Sequence, residues 1–391
     1  MARALAHIEE VAWVRPIPAA DNIELIGVLG WQLISKVGEL NVGDKCVYIE
    51  IDSLCPKEDE RFAFLESKKY KVKTMKLGAK LGSPISQGLA MPVSLFPELE
   101  GKNVGDDVTD ILKITYYSAD DRQRKSNKVD PNAKYKSMAA RHPKLAKKRW
   151  FRWLMKKKWG KKLLFFFLGK KKDKPKAFPD FIRKTDEIRV ENIPWVLEDS
   201  EKKYEVTEKL DGTSTTIAVK RIKRNKFDEI VCSRNVRQLD MIQKAYSEFD
   251  GNVYWEMAIK YDVLNKLKKY ANENNANLVV IQGECIGETV QQNPYKLEGR
   301  DLYVFNFIVD GKRFESHEAK SIIEKMDMKF VPIINFEKTL PATMEDMKAE
   351  AEGKSEINDK IKREGLVYRE INNPENSFKN VSISYLLKHQ G

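Results

Sequence analysis

Glu208-Lys209-Leu210-Asp211-Gly212 is the stretch on which the reading of this chain turns. Alone, a Lys-x-Asp-Gly pattern carries little, since average residue usage puts one in about one chain in ten of this size. Its bland interpretation is an exposed turn lysine beside an Asp-Gly turn. The ordered series that follows gives it weight. Ser233-Arg234-Asn235 ends one strand-like run and Gln282-Gly283-Glu284 ends another. Leu302-Tyr303-Val304-Phe305-Asn306-Phe307 reads as a strand with aromatics at period two. Arg363-Glu364-Gly365-Leu366-Val367 and Ser377-Phe378-Lys379-Asn380-Val381-Ser382 close the set.

Around these pieces the chain alternates between strand and helix patterns from Phe178 onward. Ser214–Lys220, Glu229–Ser233, Leu278–Gly283, Leu302–Val309, Leu366–Tyr368 and Val381–Ile383 are expected strands. Tyr254–Ala271 and His317–Met326 are expected helices. Upstream, residues 1–115 read as short strands between turns: Ile8–Val14, Ile23–Ile34 interrupted at Gly27 and Gly30, and Lys45–Ile51 after Gly43-Asp44. That spacing suits a small β-barrel or sandwich and does not choose between them. The expected organisation is a β-rich module over 1–115, a linker over 116–176 and a mixed α/β domain over 177–391.

The chain has 391 residues and a net charge of +12. Fifteen Lys or Arg stand against Asp173 alone between Lys144 and Lys176. Taking that +14 from the whole leaves −2, so one basic element is attached to a nearly neutral protein. Asp120–Lys144 reads as a polar loop. Lys147–Leu168 interleaves cations with bulky apolar residues: Phe151, Met155, Trp159, Leu163 and Phe167 recur at i+4, as in a basic amphipathic helix. It can lie on nucleic acid, lie on an anionic membrane, or pack its aromatic face between modules. The longest apolar run, Leu163–Leu168, is far below the ~20 residues of a membrane span. No secretory pattern opens the sequence. Cys46, Cys55, Cys232 and Cys285 show neither paired nor metal-site spacing, so reduced thiols in an intracellular protein, cytoplasmic, nuclear or viral, are expected. Four scattered histidines argue against a zinc centre or a histidine triad.

In their order, the pieces beginning at Lys209 resemble the nucleotidyltransferase motifs of covalent ligases, those called I, Ia, III, IIIa, IV and V. Phe178-Pro179 through Lys184-Thr185-Asp186-Glu187 to Asn192 is similar to the segment before motif I in RNA ligases. Ala20-Asp21-Asn22-Ile23-Glu24, Tyr48-Ile49-Glu50-Ile51-Asp52-Ser53 and Ser86-Gln87-Gly88-Leu89 look like the N-terminal sequences of ATP-dependent RNA ligases with an OB module. DNA ligases and capping enzymes continue into another OB domain, whereas twelve residues follow Lys379 here. The resemblance therefore implies an α+β chain: an OB-like barrel and a ligase/capping-type, ATP-grasp-like nucleotidyltransferase domain.

What the resemblance implies for chemistry is specific. Lys209 attacks the α-phosphorus of ATP, carries AMP covalently, and passes it to an RNA 5′-phosphate, which a 3′-hydroxyl then attacks. The amine must be free, against a usual pKa of about 10.4, and Mg²⁺ or Mn²⁺ together with Lys379 is expected to supply that push. Lys379 is also assigned to the phosphate charge. Asp211 and Glu364 match positions holding the hydrated metal, and Glu284 one serving the ribose or the metal. Glu208 and Leu210 flank the nucleotide, Arg234 contacts ribose or the 3′ end, and Phe305 stacks on adenine. The chain departs from the pattern at Ser214, where many relatives carry Arg or Asn, at Asn306, where Asp is common, and in offering Lys379 with only the unassigned Lys388 nearby. The implied partner is a nicked RNA-containing duplex, bound by a monomer without a membrane span. The competing readings are a GTP-using guanylyltransferase and a non-catalytic RNA-binding protein.

Overall fold

The computed structural model describes residues 3–18, 20–117, 145, 148–168, 176–224, 226–238 and 252–389. Two compact units emerge, Met1–Tyr117 with Lys176–Gly391, and Ser118–Pro175. In the first, β1 (Ala6–Pro16), β2 (Ile23–Val28), β3 (Trp31–Lys36), β4 (Lys45–Ile49) and β5 (Leu89–Pro92) form a sheet in the order β3-β2-β1-β4-β5. β1 is shared along its length: Ala6–Glu10 pair with β4, and Val11–Pro16 pair with β2 across a bulge between Val11 and Trp13. A bulge bends and twists a strand, which lets a single β1 serve both halves of a small barrel. Its core buries Ile8, Val47, Ile49, Phe62 and Phe96. Only the turn at Leu29-Gly30 interrupts the second expected strand. Gly27 stays inside β2 because Trp13 lies over it, 2.1 Å from where a Cβ would stand.

The second unit contains α1 (Arg149–Lys156) and α2 (Lys158–Leu168) in place of one continuous helix. The chain leaves helical geometry at Lys157 (φ −95, ψ 136), and the break lets Phe151 and Leu164 bury each other. The expected loop Asp120–Lys144 lies outside the described residues.

The remainder of the first unit holds two further sheets. One has, in order, Lys176–Ala177, Val236–Arg237, β9 (Lys226–Ser233), β8 (Thr213–Lys223), β10 (Leu278–Gly287), β11 (Arg300–Val309) and Lys312–Arg313. The other runs β6 (Ile188–Arg189), β14 (Asn373–Val381), β13 (Gly365–Glu370), β7 (Tyr204–Lys209) and β12 (Ile333–Lys338). Helices α3 (Val253–Lys260), α4 (Val263–Glu273) and α5 (Ser316–Lys325) cover the larger sheet around Ile217, Val279, Leu267, Val304 and Phe307. The expected helix over Tyr254–Ala271 breaks at Asp262, whose φ is +47. α6 (Met344–Ala351) places Met347 in the core of the smaller sheet with Tyr204, Tyr368 and Phe378.

Two strand expectations need correction. Val381–Ile383 is not a strand: β14 stops at Val381, Ser382 Oγ accepts from the Tyr385 amide at 3.1 Å, and Ile383–His389 becomes α7. A serine at that position caps a helix start. The period-two aromatic face of β11 is also broken. The pairing with β10 jumps from Gln282↔Asn306 to Gly283↔Val304, leaving Phe305 as the extra residue. Phe307 therefore turns into the core, edge-on to Tyr270 and Phe314.

Candidate active site

Lys209 stands where the two sheets meet. It is the last residue of β7 in the smaller sheet, and four residues later Thr213 opens β8 in the larger one. Leu210-Asp211-Gly212 is the crossing. Both ends of it are tight: a Cβ at Gly212 would lie 2.3 Å from the Cys285 carbonyl oxygen. One at Gly365, paired in register with Lys209, would lie 2.2 Å from the Asn380 carbonyl oxygen. Backbone atoms cannot rotate aside, so only glycine lets the strands close on the lysine. The Leu210 side chain is buried in the core of the larger sheet, so any nucleotide contact there falls to its main chain.

The Lys209 ammonium donates to Glu364 Oε1 at 2.6 Å. Burial pulls this amine down, but the charges of Glu364, Glu284 and Asp211 outweigh it and hold it above the ordinary lysine value. The free amine is expected only with a divalent cation and Lys379 supplying the push; the three acids by themselves favour the ammonium. Glu284, half-buried in β10, is pushed up to about 8 by burial and by Glu364 and Asp211, against the opposing charges of Lys209 and Arg234. The Asp211 amide donates to Tyr295 Oη at 2.7 Å, and its carboxylate bonds the Tyr385 hydroxyl on α7.

Three oxygen donors converging on a buried cation suit a hard divalent metal. Among the described residues, however, the only trio with ligand atoms all within 4.8 Å of one another is Glu205, Glu315 and His317. Asp211, Glu284 and Glu364 do not form a compact cage, which fits carboxylates gripping through water. The Glu205 trio is occupied otherwise: its carboxylate accepts from the Ser316 and His317 amides and pairs with the His317 ring, fixing the start of α5.

Lys379, in β14, donates to Asp186 Oδ1 at 3.2 Å. Burial pushes it down to about 8; Asp186 resists, while Arg189, Arg3 and Lys209 add to the fall. Asp186 also pairs with Arg234 at 3.1 Å and stays ionised, held down to about 2: burial opposes this, and Lys379, Arg234 and Arg3 overcome it. Arg189 faces Lys379 in register, is buried, and has Nε and Nη1 without partners; its remaining nitrogen reaches Asp52 of the OB module at 3.3 Å. Asp186, Arg189, Tyr295 and Tyr385 were not singled out from the sequence. Asp186 and Arg189 lie in or beside the stretch already likened to the segment before motif I, but nothing marked Tyr385.

Other expected residues sit as follows. Ser214 Oγ shares a hydrogen bond of 3.0 Å with Thr185 Oγ1, so its hydroxyl is engaged. Asn306 donates to Gln282 Oε1 at 2.8 Å, and Gln282 donates to the Arg183 carbonyl at 2.7 Å. Glu208 is buried away from Lys209, accepting from the Glu356 amide at 2.8 Å with Oε1 unpartnered; burial raises its pKa. Phe305 is half-buried, and Lys388 is exposed on α7.

The OB module is docked onto this site by its own contacts. Trp31 Nε1 donates to Asn192 Oδ1 at 2.6 Å, the Gly30 amide donates to the Glu191 carbonyl at 2.8 Å, and Lys348 donates to the Gly30 carbonyl at 3.0 Å. Val381 and Leu386 are buried with Trp31, Tyr48 and Ile26. Among the described residues no helix is long and apolar enough to cross a membrane.

Comparison with known proteins bears on the same architecture. An OB-fold domain model matches residues 5–93, and the RNA ligase model matches residues 202–381. No curated protein matches. Among solved structures, a Naegleria gruberi RNA ligase variant with AMP and Mn is 30% identical at TM-score 0.74, covering 99% of both chains. The Naegleria gruberi enzyme with PPi is 31% identical at 0.75, covering 100% of this chain and 99% of that one. Another of its variants, with ATP and Mn, is 30% identical at 0.74 over 99% of each. With both modules matched and the likeness running the full length, the chain belongs to the RNA ligase family.

Proposed function

We propose that this ligase joins RNA 3′-hydroxyl and 5′-phosphate ends at the expense of ATP, acting as a monomer on nicked duplexes that carry RNA at the 3′-hydroxyl. The observation that carries the reading is Lys209 at the sheet junction, facing Glu364, Glu284 and Asp211 on one side and the Lys379 cluster on the other. The Naegleria structures with ATP, AMP and Mn support ATP and a divalent metal here.

The chain's own groups divide the work. Asp211, Glu284 and Glu364 are the residues to hold Mg²⁺ or Mn²⁺. That cation offsets the charges that keep Lys209 protonated, and spreads the charge of the phosphates. Once its proton has passed to solvent and it is released from Glu364, the Lys209 amine attacks the α-phosphorus; the N–P bond forms as the bond to pyrophosphate breaks. Lys379 and the unpartnered face of Arg189 lie where fixed cations stabilise a phosphoryl group gaining charge. Phe305 and Arg234 serve adenine and ribose, with the main chain at Glu208 and Leu210 alongside. The AMP then passes to the RNA 5′-phosphate, and the 3′-hydroxyl expels it. The OB module reads the A-form flank through backbone and 2′-hydroxyls.

Incubation with α-labelled ATP and Mg²⁺ is expected to leave label on the wild type and none on Lys209→Ala; label persisting on the variant refutes the nucleophile. Label taken from GTP in preference to ATP refutes the nucleotide. A panel of nicks varying RNA and DNA on each side tests the substrate, and equal sealing of all-DNA nicks overturns the 3′-ribonucleotide requirement.

A further inference from the structure

The helical pair of the second unit has no part in the chemistry above. On α1, Arg149, Arg152 and Lys156 share one face at i, i+3 and i+7; on α2, Lys158, Lys161 and Lys162 do the same. Residues 148–168 carry eight Lys or Arg and no acid. The pair builds a small core of its own from Phe151 and Leu164, with Leu154, Met155 and Leu168 partly buried against them. That core leaves Trp150, Trp153, Trp159, Leu163, Phe166 and Phe167 exposed, the last two at 79% and 72%. Trp153 and Trp159 touch edge to face at 5.9 Å, bringing the two helices' aromatic sides together. Large exposed apolar patches on a protein mark a contact surface.

We propose that this face docks on an anionic phospholipid bilayer and holds the ligase at a membrane surface. Three observations favour lipid over RNA. Cations and exposed aromatics alternate along the chain but fall on adjoining sides of each helix, as in helices that lie in the interfacial plane. Leu163, Phe166 and Phe167 lie exposed toward the end of α2, and the sequence Leu163–Leu168 contains no polar residue. A platform that stacks bases needs cations along it to track the phosphates, and among the described residues from Leu163 to Leu168 there is none. A bilayer instead accepts that apolar end, while Lys156, Lys157, Lys158, Lys161 and Lys162 stay at headgroup level. Neither helix, of 8 and 11 residues, can span. The contact is therefore superficial and reversible.

The test uses the full-length protein with vesicles of phosphatidylcholine, alone or with roughly one-third phosphatidylglycerol. Co-sedimentation with the anionic vesicles, weakened by salt and accompanied by a blue shift of tryptophan emission, is expected. The double variant Phe166→Ser/Phe167→Ser should lose binding by about tenfold or more while Lys209 still accepts label from ATP, which keeps this test separate from the proposed activity. Lys156→Gln/Lys157→Gln/Lys158→Gln should erase the preference for anionic vesicles. Absence of vesicle binding overturns the proposal. If the Phe variant instead weakens RNA binding, the face is a base platform; if it changes neither, a protein covers it.

Discussion

Replacing Asp186 by Asn isolates what keeps Lys379 charged. Burial holds Lys379 down to about 8, with Asp186 as the acid that opposes the fall and three cations pressing it lower. At pH 7.5 roughly three-quarters of the molecules then carry the ammonium. An opposite charge at hydrogen-bond range is worth about one to three pKa units. The Asp186 side chain is 40% exposed, so water screens it and the lower figure applies. The variant's Lys379 should therefore titrate near ~7. If the ammonium stabilises the phosphate, single-turnover labelling of Lys209 should be nearly unchanged at pH 6. The wild-type to variant ratio should then climb to about tenfold by pH 9. Taking the ratio at each pH cancels the deprotonation of Lys209 itself, which both proteins share. Asp186 also pairs with Arg234, so Arg234→Gln is the control: it should give a ratio that does not vary with pH. A flat ratio for Asp186→Asn, however large, would refute the reasoning and leave Asp186 as a structural tie.

Gly365→Ala should slow Lys209 labelling by about 100-fold while the protein stays folded, because the methyl group meets Asn380 backbone and shifts the Lys209–Glu364 pair; the same change at Gly78, where φ is −62 and nothing lies within 4 Å, should leave the rate alone. Tyr385→Phe frees the Asp211 carboxylate, and should raise the Mg²⁺ concentration for half-maximal labelling several-fold without altering the rate at saturating metal. His7, buried in the OB module between Glu9 and Glu50, is held up to about 9: burial opposes this and the two carboxylates overcome it. Its contribution is full below pH 6.5 and lost as pH rises through about 9. Wild-type thermal stability should fall across that window, by at most ~3 kcal/mol, and His7→Gln should flatten the fall; an unchanged slope in the variant counts against the pairing.

The motif pieces were legible because each sets a chemical residue in or beside a strand. Lys209 ends β7, Glu284 lies within β10 and Glu364 immediately precedes β13, and the sequence order of those strands is what the resemblance detected. The apolar run at Leu278–Gly283 suffices to place β10, whereas no strand is expected over Tyr204–Lys209, which forms β7. The bulge at Phe305 was not legible, since Leu302–Phe307 alternates perfectly on paper and only its pairing with β10 shows the slip. The capped start of α7 was hidden for a related reason: Val381-Ser382-Ile383 has β-branched strand character, and Ser382 becomes a cap only once β14 ends. The charge state of Lys209 depends on acids distant in sequence, so no local pattern carries it. Tyr385 is a lone aromatic whose role arises from the packing of α7. The break at Lys157 runs through a pattern that a single helix satisfies equally well, and only the burial of Phe151 against Leu164 reveals it.

The way α7 joins the OB module carries a consequence for how the enzyme comes to exist. The barrel strands leave the ribosome first, yet Val381 and Leu386 share a core with Trp31 and Tyr48, more than three hundred residues earlier in the chain. The same helix brings the Tyr385 hydroxyl to Asp211. During synthesis the barrel must wait with an uncovered apolar flank, and the carboxylates around Lys209 stay incomplete until that helix docks. A chain shortened just after Lys379 is therefore expected to expose that apolar flank and to lack the Tyr385 hydroxyl at Asp211.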